Sequence, residues 1–295
     1  MTIATCLTKP SLFLILLALC TPTFAITVQT PSCEIEGDPD IYGIGIRSGF
    51  YLQWAALIII LFFNPKDGDA HRTASAITTF AVYINTFRSM RQGSLIAIDY
   101  PLLWYLTSSL TIFNWPTSEV GFKKHGGSQA MVLVIWAMYY LAGPWVFFKG
   151  LQIGRQPGCD IKYFVFAPIS IYAKGLSNWF KFTSVLGIIT SFILLCVAAG
   201  LVWLWFASWG EDLGDEESED NRILAMVFGV MQLSLGAFTI AFAEMNLKHN
   251  HITFPDTHIT DSGQLIPFLI GIFTFVVAFV SALRAMAKKS SSRTE

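Results

Sequence analysis

The densest concentration of groups able to do chemistry lies between Glu244 and Asp261. Glu244, Asp256 and Asp261 supply three carboxylates there, and His249, His251 and His258 supply three of the chain's five histidines. Imidazole nitrogens and carboxylate oxygens are ligands for zinc and related divalent ions, which makes His249, His251, Asp256 and His258 candidate metal ligands. The spacing is not that of a known site, since His249 and His251 are two apart and no pair has the four-residue helical separation of His-Glu-x-x-His. A polar extramembrane loop whose histidines titrate near neutrality is the plainer expectation.

A second set of candidates consists of charges inside otherwise apolar stretches: Arg47, Arg88, Asp99 and Glu244. Ionisable groups are costly in hydrocarbon, so those that persist are candidates for function. Asp99 and Glu244 are the candidate acid-base residues. A pairing of Asp99 with Arg88 or Arg47 would neutralise two buried charges. The alternative is that both arginines reach toward an interface and that Asp99-Tyr100-Pro101 opens or bends a helix.

Other chemistries find no foothold. The chain has no phosphate-binding Gly-rich loop ending in Lys-Ser or Lys-Thr, no Gly-x-Ser-x-Gly, no Asn-x-Ser/Thr acceptor and no cofactor-binding motif. Of five cysteines, Cys6 and Cys20 fall in the first 25 residues and Cys196 in an apolar run. Cys33 and Cys159 remain, and they could close a disulfide if both face an oxidising lumen, or stay free.

The elements that must position these groups follow from composition. The 295 residues are 54% hydrophobic and 13% charged, with 25 Phe, 9 Trp and 9 Tyr, against about 25% charged in an ordinary globular chain. Soluble-enzyme, collagen-like and disordered classes are excluded, and no concentrated basic face supports nucleic-acid binding. Residues 1–25 read as a cleavable secretory signal with small residues Thr23 and Ala25 before the cut, or else as an uncleaved anchor. Residues 26–41 form an acidic lumenal or extracellular segment. Residues 42–285 predict an all-α polytopic transmembrane helix bundle of about seven spans, and 286–295 a short basic, Ser-rich cytosolic tail.

The strong spans are 42–63, 128–148, 182–206, 223–243 and 264–283, each about 20 apolar residues. Residues 73–113 are too long for one crossing and predict two shorter helices, 73–90 and 94–113, with a single span plus an interfacial helix as the competing reading. Gly43, Gly45, Gly49 and Gly271 are among the small residues able to bring helices close. Lys and Arg counts barely favour one orientation. Seven spans starting outside put the basic tail in the cytosol and the basic, aromatic stretch 149–181 outside, although its composition suits a membrane surface.

The run Cys33-Glu-Ile-Glu-Gly-Asp-Pro-Asp-Ile-Tyr-Gly-Ile-Gly-Ile-Arg47, with Gly263-Gln-Leu-Ile-Pro267 opening the last helix, resembles a family of multi-pass membrane proteins of filamentous fungi. The resemblance implies a fungal origin and a shared membrane architecture, and no particular mechanism. Read physically, Gly37-Asp-Pro-Asp40 is a turn whose carboxylates can cap a helix, and Gln264 and Pro267 suit a first helical turn.

These readings lead to a multi-pass integral membrane protein of the secretory pathway or plasma membrane, receptor-like, channel-like or regulatory. Its expected partners are membrane lipids and a hydrophobic small molecule. An integral membrane enzyme acting on a lipid, isoprenoid or secondary metabolite through Asp99 and Glu244 is the alternative, and a membrane scaffold the third reading.

Overall fold

The computed structural model describes residues 35–65, 68–112, 115, 119–152, 160–164, 166–208, 219–255 and 257–291. Cys33, Cys159 and residues 1–25, with the disulfide and signal readings attached to them, lie outside the described residues. So do Asp256 and residues 292–295 of the tail. Cys196 is a free thiol on an exposed helix face.

Seven helices of thirteen or more residues are present among the described residues: α1 Ile44–Phe63, α2 Gly68–Gln92, α3 Asp99–Thr111, α4 Glu119–Phe148, α5 Lys174–Ala207, α6 Glu219–His249 and α7 Ser262–Ser291. A one-turn helix, Pro39–Tyr42, precedes α1, capped by the Asp38 side chain accepting from the Asp40 N–H at 2.9 Å. Strand β1 (Ile35–Glu36) pairs in parallel with β4 (Ile252–Thr253), and β2 (Lys162–Phe164) pairs antiparallel with β3 (Pro168–Ser170).

Contacts along the helices fix their directions. Gly45 meets Gln264, Gly49 meets Pro267, and Asn64 donates to Ser281 at 3.0 Å, so α1 and α7 run parallel. Asn85 and Ser89, near the end of α2, reach back to Asp40 and Asp38 at the start of the chain's described part. Ser109 on α3 and Tyr105 meet Gln232 and Phe242 on α6 in antiparallel order. The chain therefore passes through the bundle seven times. One end carries the strands, the one-turn helix and the α2–α3, α4–α5 and α6–α7 connections; the opposite end carries the remaining connections and the close of α7.

The fold is that of a multi-pass membrane protein, and the helices are of two kinds. Among the described residues five are long and apolar enough to cross a membrane: Pro39–Phe63, Gly126–Phe148, Lys174–Ala207, Ile223–His249 and Ser262–Ala287. The outward faces of α5 and α7 carry Phe182, Ile189, Phe192 and Phe273, more than half exposed, which is the inverse of a soluble surface. The other two helices, α2 and α3, are the two expected over 73–113 between the strong spans. α2 is 25 residues long, but its inner face is lined by Ser75, Thr78, Thr79 and Thr86 while Ile77, Phe80 and Ile84 point outward. α3 spans 13 residues, about 20 Å, and every residue but Trp104 is buried, so it is a central strut shorter than the hydrocarbon core. The two helices part at Gly93, whose φ of +72° suits a residue without Cβ.

Candidate functional site

The strand-bearing end holds one continuous polar network, centred on Tyr42, a residue with no exposed surface. Its hydroxyl donates to Asp99 Oδ1 at 2.6 Å, and its backbone carbonyl accepts from Arg47 Nε at 3.0 Å. The other Asp99 oxygen accepts from the Ile96 N–H at 2.7 Å, three residues earlier in the α2–α3 connection. On the outer side Asp38 accepts from Ser89 Oγ at 2.5 Å. On the α6 side Arg47 forms an ion pair with Glu244, which also accepts from the Tyr51 hydroxyl at 2.6 Å. Phe254 packs edge-on against Tyr42 at 5.6 Å and lies 6.0 Å from the Arg47 guanidinium.

Asp99 and Glu244, named independently from sequence, are thus linked through Tyr42 and Arg47; of the two readings of Asp99, the pairing with an arginine is not formed and the residue opens α3. Arg47 is engaged by Glu244, and Arg88 is exposed on the outer side of α2. The fully buried Asp99 carboxyl is held by a phenol and a backbone amide instead. Tyr42, Tyr51 and Ser89 were missed, because a hydroxyl in an apolar run carries no charge signal. Tyr42→Phe is expected to destabilise the protein by about 2 kcal/mol, since it removes a donor from a buried carboxyl. Denaturant titration in mixed micelles measures this, and a loss below about 0.5 kcal/mol contradicts the arrangement.

The two sequence blocks 37–47 and 263–267 meet in space. Gln264, 1% exposed, accepts from the Gly45 N–H at 2.9 Å, a donor that the start of α1 leaves open, and donates to the Pro39 carbonyl of the one-turn helix. Its role is therefore across the α1–α7 contact as well as in its own first turn.

The first third of the expected loop over 244–261 is helix, because α6 continues to His249. Among the described residues no three His, Cys, Asp or Glu side chains form a group able to hold a metal. His249 donates from Nδ1 to the Met245 carbonyl at 2.8 Å and stacks on Phe164 at 4.9 Å. His251, with φ +48°, turns the chain out of α6 and is exposed, as is His258, whose backbone N–H donates to Asp261 at 2.8 Å. Asp256 lies outside the described residues.

What that segment does supply is a pair of asparagines. Asn246 and Asn250, one turn apart on α6, each accept from and donate to one residue of β2. Asn246 pairs with Phe164 (2.7 and 2.9 Å), and Asn250 with Lys162 (both 2.6 Å). The four-residue helical step matches the two-residue step of a strand edge, since about 6 Å separates successive side chains in both. Both asparagines are buried, and the strand edge they close has no other sheet partner among the described residues.

Deeper in the bundle a polar seam follows the inner face of α2. His71, Arg72, Ser75, Thr78, Thr79, Thr86 and Ser89 are all buried, over a length of about 27 Å. Tyr83 continues it through a 3.4 Å contact with Thr107 of α3. Gln53 of α1 donates to Thr78 at 3.2 Å, and Gln232 of α6 donates to the Ser109 carbonyl. Gln53 Oε1, Thr79 Oγ1 and Gln232 Oε1 are buried without a hydrogen-bond partner. A separate crevice between α2, α3 and α4 is lined by Tyr83, Phe87, Met90, Tyr100, Leu103 and Tyr139, and neither Asp99 nor Glu244 reaches it.

No family model, curated protein or solved structure matches the chain.

Proposed function

We propose that this multi-pass membrane protein is channel-like, relaying protons along the polar seam inside α2. The observation that carries the reading is the end-to-end line of buried hydroxyl, amide and ionisable groups, from Asp99 and Ser89 at one end to His71 and Arg72 at the other. Its length of about 27 Å is close to the hydrocarbon thickness of about 30 Å. A bundle with a purely structural interior gains nothing from orphaned acceptors, each of which costs about 1–3 kcal/mol when buried. Hydroxyls and amides that exchange partners with transient water lower that cost and form a proton path. Asp99 is the group at its mouth that can accept and release a proton, and Tyr42 stands between it and Asp38.

Glu244 is held in an ion pair with Arg47 whereas Asp99 has no cationic partner, which favours Asp99 over Glu244 as the proton-exchanging group. Membership of the fungal multi-pass family is proposed on the same footing, supported by the direct contact of the two blocks that carry the resemblance.

Reconstitution into vesicles loaded with a pH-sensitive dye, under a potassium diffusion potential, tests the relay. The wild type is expected to move protons well above the rate of protein-free vesicles. Asp99→Asn, which keeps an acceptor for Tyr42, is expected to lower that flux by about tenfold or more, as loss of an intramembrane proton acceptor should. Wild-type flux at the protein-free level, or Asp99→Asn flux equal to wild type, rules the relay out.

A further inference from the structure

We propose that the β2–β3 hairpin and the first two turns of α5 form a binding surface for an anionic phospholipid. Because such lipid is concentrated in the cytoplasmic leaflet, its binding puts the strand-bearing end on the cytosolic side, the reverse of the orientation expected from the sequence. α5 has 34 residues and is about 51 Å long, against a hydrocarbon core of about 30 Å, so part of it stands in the headgroup layer. Its first turns carry Lys174 and Lys181, seven residues apart and therefore on one face, with Trp179, 59% exposed, between them at the position of an interfacial anchor.

The hairpin that leads into α5 brings both halves of a lipid contact. Lys162 is exposed at its base. At its tip Phe166 is 82% exposed yet rests against Phe238 and Phe242 of α6 at 6.1 and 5.7 Å. Those two phenylalanines lie seven and eleven residues before the end of α6, about 10 and 16 Å along the helix axis. The tip thus lies at acyl-chain depth while the lysines remain near the helix end. Backbone at that depth must be paired within the protein, and Asn246 and Asn250 supply the pairing for the β2 edge. From Phe148 to Phe182 the described residues hold four lysines and one acidic group, Asp160, whose carboxylate accepts from Ser170. Lys181 is also placed 5.6 Å from the Phe148 ring, which fixes its ammonium beside the apolar surface. The surface offers cations at phosphate level and aromatic rings at acyl level, the complement of a negatively charged phospholipid.

The test uses the full chain in phosphatidylcholine vesicles carrying a minor fraction of phosphatidylserine, followed by detergent extraction and quantification of retained lipid. Phosphatidylserine is expected to be enriched about tenfold or more over its bulk fraction, with retention falling as salt rises. Lys162→Gln, Lys174→Gln and Lys181→Gln should each lower the enrichment, and the triple variant should bring it to the bulk fraction, a loss of about tenfold, with unchanged far-UV helix content. Retained lipid of bulk composition, retention insensitive to salt in the wild type, or enrichment unaffected in the triple variant overturns the proposal. Displacement of the lipid by inorganic phosphate at equal concentration would mark a free-phosphate site and overturns it equally.

Discussion

Replacing Asn246 with leucine is expected to cost about 3 kcal/mol and to release the β2–β3 hairpin from α6. The side chain has no exposed surface and makes three hydrogen bonds: it accepts from the Phe164 N–H and donates to the Phe164 and Phe242 carbonyls. Leucine has similar volume and pairs with none of them. Two backbone groups of β2 are then buried without partners, at about 1–3 kcal/mol each, partly offset by the apolar surface gained. Asn250→Leu should cost less, because its strand partner Lys162 is exposed and water can replace the lost bonds. Unfolding midpoints in mixed micelles give the ranking, and hydrogen exchange at the Phe164 amide gives the mechanism. Equal stability of Asn246→Leu and wild type, with the Phe164 amide still protected, would refute the role assigned to this residue.

Asparagine pairing of this kind explains why the segment after residue 243 was misread. Glu244, Asn246, His249, Asn250 and His251 look like a polar loop when judged by residue type, and the last apolar position seems to end the span. In the structure α6 continues to His249, since Asn246 and Asn250 face a strand edge that satisfies them and Leu247 still faces the core. A polar side chain inside a membrane bundle says that a partner exists. It does not say which segment brings it, and here the partner lies more than 80 residues earlier in the chain.

The same limit separates what was legible about Asp99 and Tyr42. That a carboxylate within an apolar run had to be engaged followed from the cost of burying charge, and Asp99 is engaged. The choice of partner depended on how the start of α1 folds across the end of the bundle, which hydropathy does not encode. The five long apolar helices were legible because length and composition alone define them. α2 and α3 were legible as helices but not in their character. The inner face of α2 is hydroxylic and its outer face apolar, so averaging along the chain cancels the two. The resulting geometry ties the network at the strand-bearing end to the seam beneath it: α2 contributes Ser89 to the former and Thr79 to the latter, and a shift of the one-turn helix against α2 would act on both.

Gly49 is where such a shift is easiest to impose. A Cβ at this position would fall inside van der Waals contact of the Pro267 carbonyl, and one at Gly271 would lie 2.7 Å from the Gly49 Cα, so the helix backbones themselves are in contact. Gly49→Ala is expected to cost about 2 kcal/mol and Gly49→Val about 3 or more, because backbone has to move to admit the side chain. Gly200 on α5, with nothing within 4 Å of its would-be Cβ, is the control, and alanine there should be neutral or stabilising by up to about 1 kcal/mol. Gly49→Ala and Gly271→Ala share one contact, so the double variant should cost less than the sum of the singles once the helices have separated. Separation also withdraws Gln264 from the Gly45 N–H and Pro39 carbonyl, which loosens Tyr42 over Asp99. Tight-variant and loose-variant vesicles should therefore differ in proton flux as well as in stability, with Gly49→Ala giving altered flux and Gly200→Ala the wild-type value. Full additivity of the two glycine substitutions, or a Gly49→Ala protein as stable as wild type, would show that α1 and α7 are not packed backbone to backbone.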